Sequence, residues 1–294
     1  MLLPRPEHGV VAAGPPGTGP GYWSGAPSAV AGDGEIFLAY RLRRPIGQGR
    51  GYAVAVARST DGVRFSTLLT IGKQELATES LERPALVRTP DGRWRLYLSC
   101  ATTGTKHWRV EVTEAAHPGE FDIRRREVIL PGDAKTGVKD PVIRYHDGQW
   151  HLWASCHPLA DPLQTDQMTT EYATSADGLA WTWHGTALSG TPGRWDSRGT
   201  RVTSVSFGGG TVTAYYDGRA TAAPAGENPL EAALGAAATL RRSGVDGLVV
   251  DCEDGAGALG LARELAEAMG ARYEVVPALT DGALRELIEG SLPR

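Results

Sequence analysis

Apolar and polar residues alternate with period two over most of the first 216 residues, and the alternating stretches recur. The unit is clearest from Glu82 to Ser99: a short apolar strand, an Asp-Gly turn, then the alternating run Trp94-Arg95-Leu96-Tyr97-Leu98. Asp-Gly between two such runs predicts a hairpin, because both residues tolerate the positive φ of tight turns. The unit returns from Asp140 through Asp147-Gly148 to Ser155. A weaker copy runs from Pro27 through Asp33-Gly34 to Tyr40, and a degraded one from Val202 to Tyr216. Pro27, Pro84 and Pro141 stand 57 residues apart. A second marker lies between copies, Ser59-Thr60-Asp61-Gly62-Val63-Arg64-Phe65 and Ser175-Ala176-Asp177-Gly178-Leu179-Ala180-Trp181.

Each repeat therefore holds about four strands. Strands are expected at 36–41, 52–58 and 64–71, then at 85–88, 93–99, 107–113 and 121–130, then at 141–145, 149–155, 169–174 and 180–188. A fourth repeat starts near 200 and stops at Tyr216, and residues 1–21 form a Gly/Pro-rich lead-in. Four-stranded repeats of this length predict stacked or radial sheets. Radial blades are favoured, because each buries both faces against its neighbours and leaves only short edges. Trp94, Trp150 and Trp153, with Phe65 and Trp181, are the expected packing residues between blades.

After Tyr216 the pattern changes to helical periodicity. Asn228-Pro229-Leu230-Glu231 reads as a helix start that runs to about Arg242. Leu248–Cys252 reads as a buried strand, Ala258–Met269 as a helix closed by Gly270, Tyr273–Val276 as a strand and Asp281–Glu289 as a last helix. Strand–helix–strand with short links predicts a parallel pair. The expected organisation is a mainly β region over 22–221, about 3.5 blades, and a small α/β segment over 222–294.

Composition adds bounds. Hydrophobic residues are 41% and charged residues 22%, enough for a sizeable core. The net charge of −4 argues against a nucleic-acid partner. No apolar run opens the chain, which predicts a cytoplasmic protein without a membrane span. Cys100 and Cys156 hold equivalent repeat positions and are expected as small buried residues, with no metal-type spacing to Cys252.

Residues 22–220 resemble the five-bladed β-propeller proteins related to glycoside hydrolase families 43 and 32. The carriers are Glu82-Arg83-Pro84, Lys139-Asp140-Pro141, the Ser-x-Asp-Gly strand ends and Trp195-Asp196-Ser197-Arg198-Gly199. The resemblance implies an axial pocket lined by the innermost strand of each blade and a small glycan as ligand. Residues 217–290 resemble the C-terminal half of the von Willebrand A-type domain found in magnesium chelatases. That resemblance rests on Asp217-Gly218-Arg219-Ala220-Thr221, Arg241-Arg242-Ser243-Gly244-Val245, Val249-Val250-Asp251-Cys252-Glu253 and Leu259-Gly260-Leu261-Ala262-Arg263-Glu264-Leu265-Ala266. The two meet at 217–221, which reads as a chimeric junction. Asp217 matches one element of the A-type metal site and no Asp-x-Ser-x-Ser turn accompanies it, so no metal or other cofactor is expected.

Glycoside cleavage needs two carboxyl groups across a pocket. Aligning the repeats on proline places Gly25, Glu82 and Lys139 at one level and Ala26, Arg83 and Asp140 at the next, with Arg201 nearby. Glu82 and Asp140 are the candidate acid pair; the alternative is that they are structural, in salt bridges with Arg83, Lys139 or a neighbouring arginine. Lys139, Arg83, Arg198 and Arg201 would hold them ionised or bind an anionic or polyol ligand. His107-Trp108, His157 and Asp196 are further candidates for substrate contact. Gly25-Ala26 stand where the family carries an essential Asp, and Glu171 and Asp196 substitute for its acid only outside a matching motif. Three readings follow: a carbohydrate-active propeller, a non-catalytic binding or scaffold propeller favoured by the missing first-blade Asp, and a chelatase-type interaction module at the C-terminus. Separately, open blade edges offer a route to self-association.

Overall fold

The computed structural model describes residues 10–161, 164–165, 167–192, 196–208, 210–219, 229–242, 248–251 and 261–275. The chain divides into two compact units, Val11–Ala222, and Ala223–Arg294 with Met1–Val10.

The first unit is mainly β. Its first sheet contains β1 (Trp23–Gly32), β2 (Glu35–Arg43), β3 (Gly51–Ser59) and β4 (Ser66–Gly72). The second contains β5 (Ala85–Arg88), β6 (Trp94–Ala101), β7 (Trp108–Ala115) and β8 (Glu127–Leu130). The third contains β9 (Thr136–His146), β10 (Gln149–Pro158), β11 (Thr169–Ser175) and β12 (Thr182–Leu188). β13 (Gly199–Gly208) and β14 (Thr211–Arg219) pair as a two-stranded fourth. All four sheets are antiparallel with strands in sequence order, so every connection is a local hairpin.

Turn chemistry explains the hairpins. Asp33-Gly34 and Asp147-Gly148 have positive φ at both residues (55° and 80°, 47° and 79°), the combination a tight primed turn requires. Asp91-Gly92 differs, with positive φ only at Gly92. Pro90 holds its own φ near −65°, and the Thr89 N–H donates to the Arg93 carbonyl across the longer turn. The Ser-x-Asp-Gly markers are loop locks. Ser59 Oγ donates to Asp61 Oδ1 at 2.9 Å, and that oxygen accepts from the N–H groups of Val63 and Arg64. Ser175 and Asp177 repeat the arrangement with Leu179 and Ala180. The backbone donors of Arg64 and Val63 hold the Asp61 carboxyl down at about 2.

Two strand expectations need correction. β1 is a full ten-residue strand rather than a weak lead into the first hairpin. Residues 121–126 are not strand: Asp122 caps a 3₁₀ turn at Ile123–Arg125, its Oδ1 accepting from the Arg124 N–H at 3.1 Å, and pairing resumes at Glu127. An Asp side chain that bonds the nearby backbone competes with the ladder.

The sheets pack face to face in chain order. Phe37, Val54, Val56 and Ile71 of the first meet Leu86, Trp94, Leu96 and Leu98 of the second. Tyr97, Val110 and Val112 of the second meet Ile143, Trp150, Leu152 and Ala173 of the third, with Trp181 alongside. Val142 and Trp153 of the third meet Val202, Val205 and Phe207 of the fourth. Phe65 instead packs on the outer face of the first sheet, with Leu38 and Tyr40. Cys100 and Cys156 are buried, and burial pushes both thiols up to about 12.

In the second unit α1 (Pro229–Arg242), β15 (Leu248–Asp251), α2 (Leu261–Met269) and β16 (Arg272–Val275) are described, and β15 pairs with β16 in parallel. Gly270 closes α2 with φ 65°, its N–H donating to the Glu267 carbonyl. The expected cap at Asn228, the start of α2 at Ala258, Cys252 and the helix over 281–289 lie outside the described residues. No described helix is long and apolar enough to cross a membrane.

Two outcomes are expected. Trp94 is buried edge-on against Phe37 with ring centroids 4.7 Å apart. Trp94→Ala should lower the unfolding free energy by about 3–5 kcal/mol in urea titration. β14 has no partner on its outer edge among the described residues and exposes Val212 and Tyr216. Unpaired edges template association, so sedimentation should show concentration-dependent oligomers that Val212→Lys reduces; a monomer at all concentrations would remove the edge as an association surface.

Candidate functional site

The first strand of each sheet contributes to one shared cavity of about 420 Å³, whose wall includes Ser28, Ala85, Val142 and Thr203. The repeated prolines account for a kink there. Pro27 and Pro141 have no N–H for the ladder, and the register slips between Gly25 and Ser28 in β1 and opposite Trp153–Ser155 in β9. Ala26 and Asp140, the residues before these prolines, have positive φ of 51° and 53°. Positive φ in a non-glycine residue costs of order 1–3 kcal/mol and concentrates at functional positions. The bulge re-aims Asp140 toward the convergence of the sheets.

Residues just before this level form a second pocket of about 480 Å³, at the N-terminal ends of the same strands. Asp140 is its buried centre, only 1% exposed. Its Oδ1 accepts from the Arg83 backbone N–H at 3.0 Å, and its Oδ2 accepts from Arg201 Nη1 at 3.2 Å. Its own N–H donates to Ser99 Oγ at 2.9 Å. Burial alone would raise the carboxyl, but Lys139, Arg201 and Arg83 together hold it below the ordinary carboxylate range. Arg201 is also clamped by both oxygens of Asp217, at 3.0 and 2.6 Å, which with Asp140 raises its guanidinium. Glu82 is paired with Arg41 across the first two sheets. Burial lowers the guanidinium of Arg41, and that of Arg83, below the usual arginine value. The Lys139 ammonium sits 4.9 Å from the Trp108 ring centroid.

Thus Glu82, Arg83, Lys139, Asp140 and Arg201 do converge in one pocket. The remaining candidates do not line it. Trp108 supports Lys139 from behind. His107 bonds Thr102 through Nδ1 at 3.1 Å. His157 lies within β10 rather than after it, and its Nδ1–H donates to the Thr165 carbonyl. That bond leaves Nε2 as the acceptor of the neutral ring, and burial lowers its proton affinity. His157 lines a different cavity of about 800 Å³ with Glu171, Trp181 and Trp183, between β8 and the third sheet. That cavity is larger but contains neither Glu82 nor Asp140. Asp196 is buried in a loop, accepting from the Thr191 N–H and the Tyr216 hydroxyl. Arg198 Nη1 donates to Gln164 Oε1 at 3.1 Å. Trp195 lies outside the described residues.

Trp23, Arg41, Arg43 and Asp217 also line the pocket, at positions that aligning the repeats on proline does not pick out. Arg41 was findable. It pairs with Gly25 as Ser155 pairs with Lys139, and Glu82 bonds Ser99 at the same level. Arginine therefore stands in the first sheet where the next two carry serine. Asp217, read as a remnant of a metal site, belongs to β14 and is spent on Arg201.

No protein-family model matches the chain. No curated protein matches it in sequence. The likeness is to solved glycoside hydrolases, in fold. A structure described as a glycoside hydrolase superposes with a TM-score of 0.50 at 15% identity, over 64% of this chain and 59% of that one. A glycosyl hydrolase from Bacteroides ovatus gives 0.49 at 18% identity, covering 66% and 60%. A structure from a study of the GH130 mannoside phosphorylases and hydrolases gives 0.48 at 17%, covering 68% and 61%. The chain spans about three fifths of the length of these proteins.

Two results follow for Asp140. Asp140→Asn leaves Arg83 and Arg201 without their shared charge, and breaking a buried pair costs about 3–5 kcal/mol, which chemical denaturation will show. The Asp140 carboxyl is held low when folded, so its contribution is complete above the unfolded value of about 3.9 and is lost as pH falls through the folded one. Below about pH 4 the stability of Asp140→Asn should vary less steeply with pH than that of the wild type.

Proposed function

We propose that residues 22–221 are a glycoside hydrolase-like, carbohydrate-active propeller, a five-bladed architecture represented here by about 3.5 blades, that holds a small glycan in the pocket around Asp140. One observation carries this reading: residues in or just ahead of the first strand of each of the four sheets line a pocket with a charged floor and an aromatic wall, Trp23, which is 41% exposed. Sugars are held by an aromatic face for the ring and charged or polar groups for the hydroxyls.

Binding without turnover is the better supported form. Cleavage needs a general acid with a raised proton affinity. Asp140 is driven the other way, Glu82 is already paired with Arg41, and Ala26 supplies no carboxylate from the first sheet. The second reading, hydrolysis with Asp140 as base or nucleophile and Glu82 as acid, is favoured by their presence in one pocket. A glycan array followed by reducing-sugar assays on the hits separates the two. Bound glycan recovered intact supports the first reading. Turnover that falls by several orders of magnitude in Glu82→Gln and in Asp140→Asn, with folding retained, supports the second.

No cofactor enters either reading. For the second unit the parallel β15–β16 pair is compatible with a partner-binding module of the A-type class. Deleting 223–294 should then leave glycan binding unchanged, whereas loss of binding in a folded deletion variant would tie that segment to the glycan site.

A further inference from the structure

The pocket around Asp140 is basic in a chain that is not. Seven lysine or arginine side chains line it against three carboxylates, while the whole chain carries −4. Each of the three carboxylates is already engaged. Glu82 is held by Arg41, Asp217 by Arg201, and Asp140 by Arg201 and the Arg83 backbone. Among the described residues no carboxylate lies within ion-pair distance of the Lys139, Arg43 or Arg83 side chain, although the Asp140 charge acts on Lys139 and Arg83 from further off. The Lys139 ammonium lies over the face of Trp108. Arg43 lies 6.0 Å from the Trp23 ring centroid, and its Nε has no hydrogen-bond acceptor among the described residues. Arg83 bonds the Val202 carbonyl through Nη1, and its Nε also lacks an acceptor among them. Arg41 is 5% exposed with two nitrogens, Nε and Nη2, unmatched by any described residue.

Burying cationic groups without matched acceptors is unfavourable. A concave site with low-dielectric walls concentrates the potential of such an excess on whatever enters. The three carboxylates are paired within the pocket while several of its cationic nitrogens are not, an imbalance that favours an anionic group on the ligand. Guanidinium forks from two sheets and an ammonium from a third suit an oxyanion with several acceptor atoms. Trp23, beside Arg43, offers a flat surface for a ring attached to that oxyanion.

We infer that the ligand of this pocket is an acidic sugar, one whose ring carries a carboxylate or a phosphate ester, held by Lys139, Arg43 and Arg83 with its ring against Trp23. This rests on the glycan reading and narrows it to the charged members of that class.

Calorimetry on the full chain with matched series tests it: glucose, glucuronate and glucose 6-phosphate, and the galactose and mannose counterparts. Inorganic phosphate and acetate serve as ring-free probes. In at least one series an acidic member should bind at least tenfold more tightly than its neutral parent. Its affinity should fall as salt rises from about 50 to 300 mM, because a mobile ion atmosphere screens the pocket. Lys139→Met and Arg43→Gln should each weaken the acidic member several-fold more than its neutral parent, and circular dichroism will verify that they fold. Carboxylate and phosphate are told apart by which acidic member binds. Equal affinity for neutral and acidic members overturns the inference while the glycan reading stands. Binding of phosphate or acetate as tight as that of any sugar removes the ring and overturns both. No binding of any probe at millimolar concentration likewise overturns both.

Discussion

The carboxylate of Asp140 is the point on which the first unit is organised. It belongs to the third sheet, accepts a backbone N–H from the second and a guanidinium from the fourth, and its own N–H bonds a serine of the second. A fully buried charge is tolerated only when it is surrounded by matched donors. Meeting that condition constrains the relative placement of three sheets at once. The bulge before Pro141 is the local part of the same constraint, because only the kinked, positive-φ backbone aims Asp140 inward. Fold and pocket therefore share a single set of contacts.

Away from this centre the sheets are held by ordinary apolar packing. Each interface combines aliphatic residues with two or three aromatic rings, and the second and third sheets each lend one face to the sheet before and the other to the sheet after. The outward Ser-x-Asp-Gly loops fix where the last strand of a sheet begins without contributing to the pocket. This separation lets the residues at the N-terminal ends of β1, β5, β9 and β13 differ in charge between sheets while the packing layers stay alike.

The site was partly legible because the repeat makes positions comparable. Glu82, Arg83, Lys139, Asp140 and Arg201 were found by aligning on proline, and all five line the pocket. Arg41 and Asp217 escaped because they come from second strands, which the proline alignment does not reach. Trp23 escaped because the first copy is weak before Pro27. His107, Trp108 and His157 were expected in contact with the ligand. Instead His157 is directed into the cleft beside β8, and Trp108 lies under Lys139. Strand parity tells which face a side chain occupies, but not which of several cavities that face adjoins.

Local chemistry was sufficient to determine the hairpins, the four-strand period, the loop locks, the burial of Cys100 and Cys156, and the parallel pair in the second unit. Each depends on residues close in sequence or on a period that the chain displays directly. The charge state of the pocket was a tertiary decision. Arg41 meets Glu82, Arg201 meets Asp140 and Asp217, and Lys139 and Arg43 are left over, only because four sheets separated by tens of residues bring their strand ends to one place. Coulomb energies depend on distance and burial, and neither is written in a linear sequence.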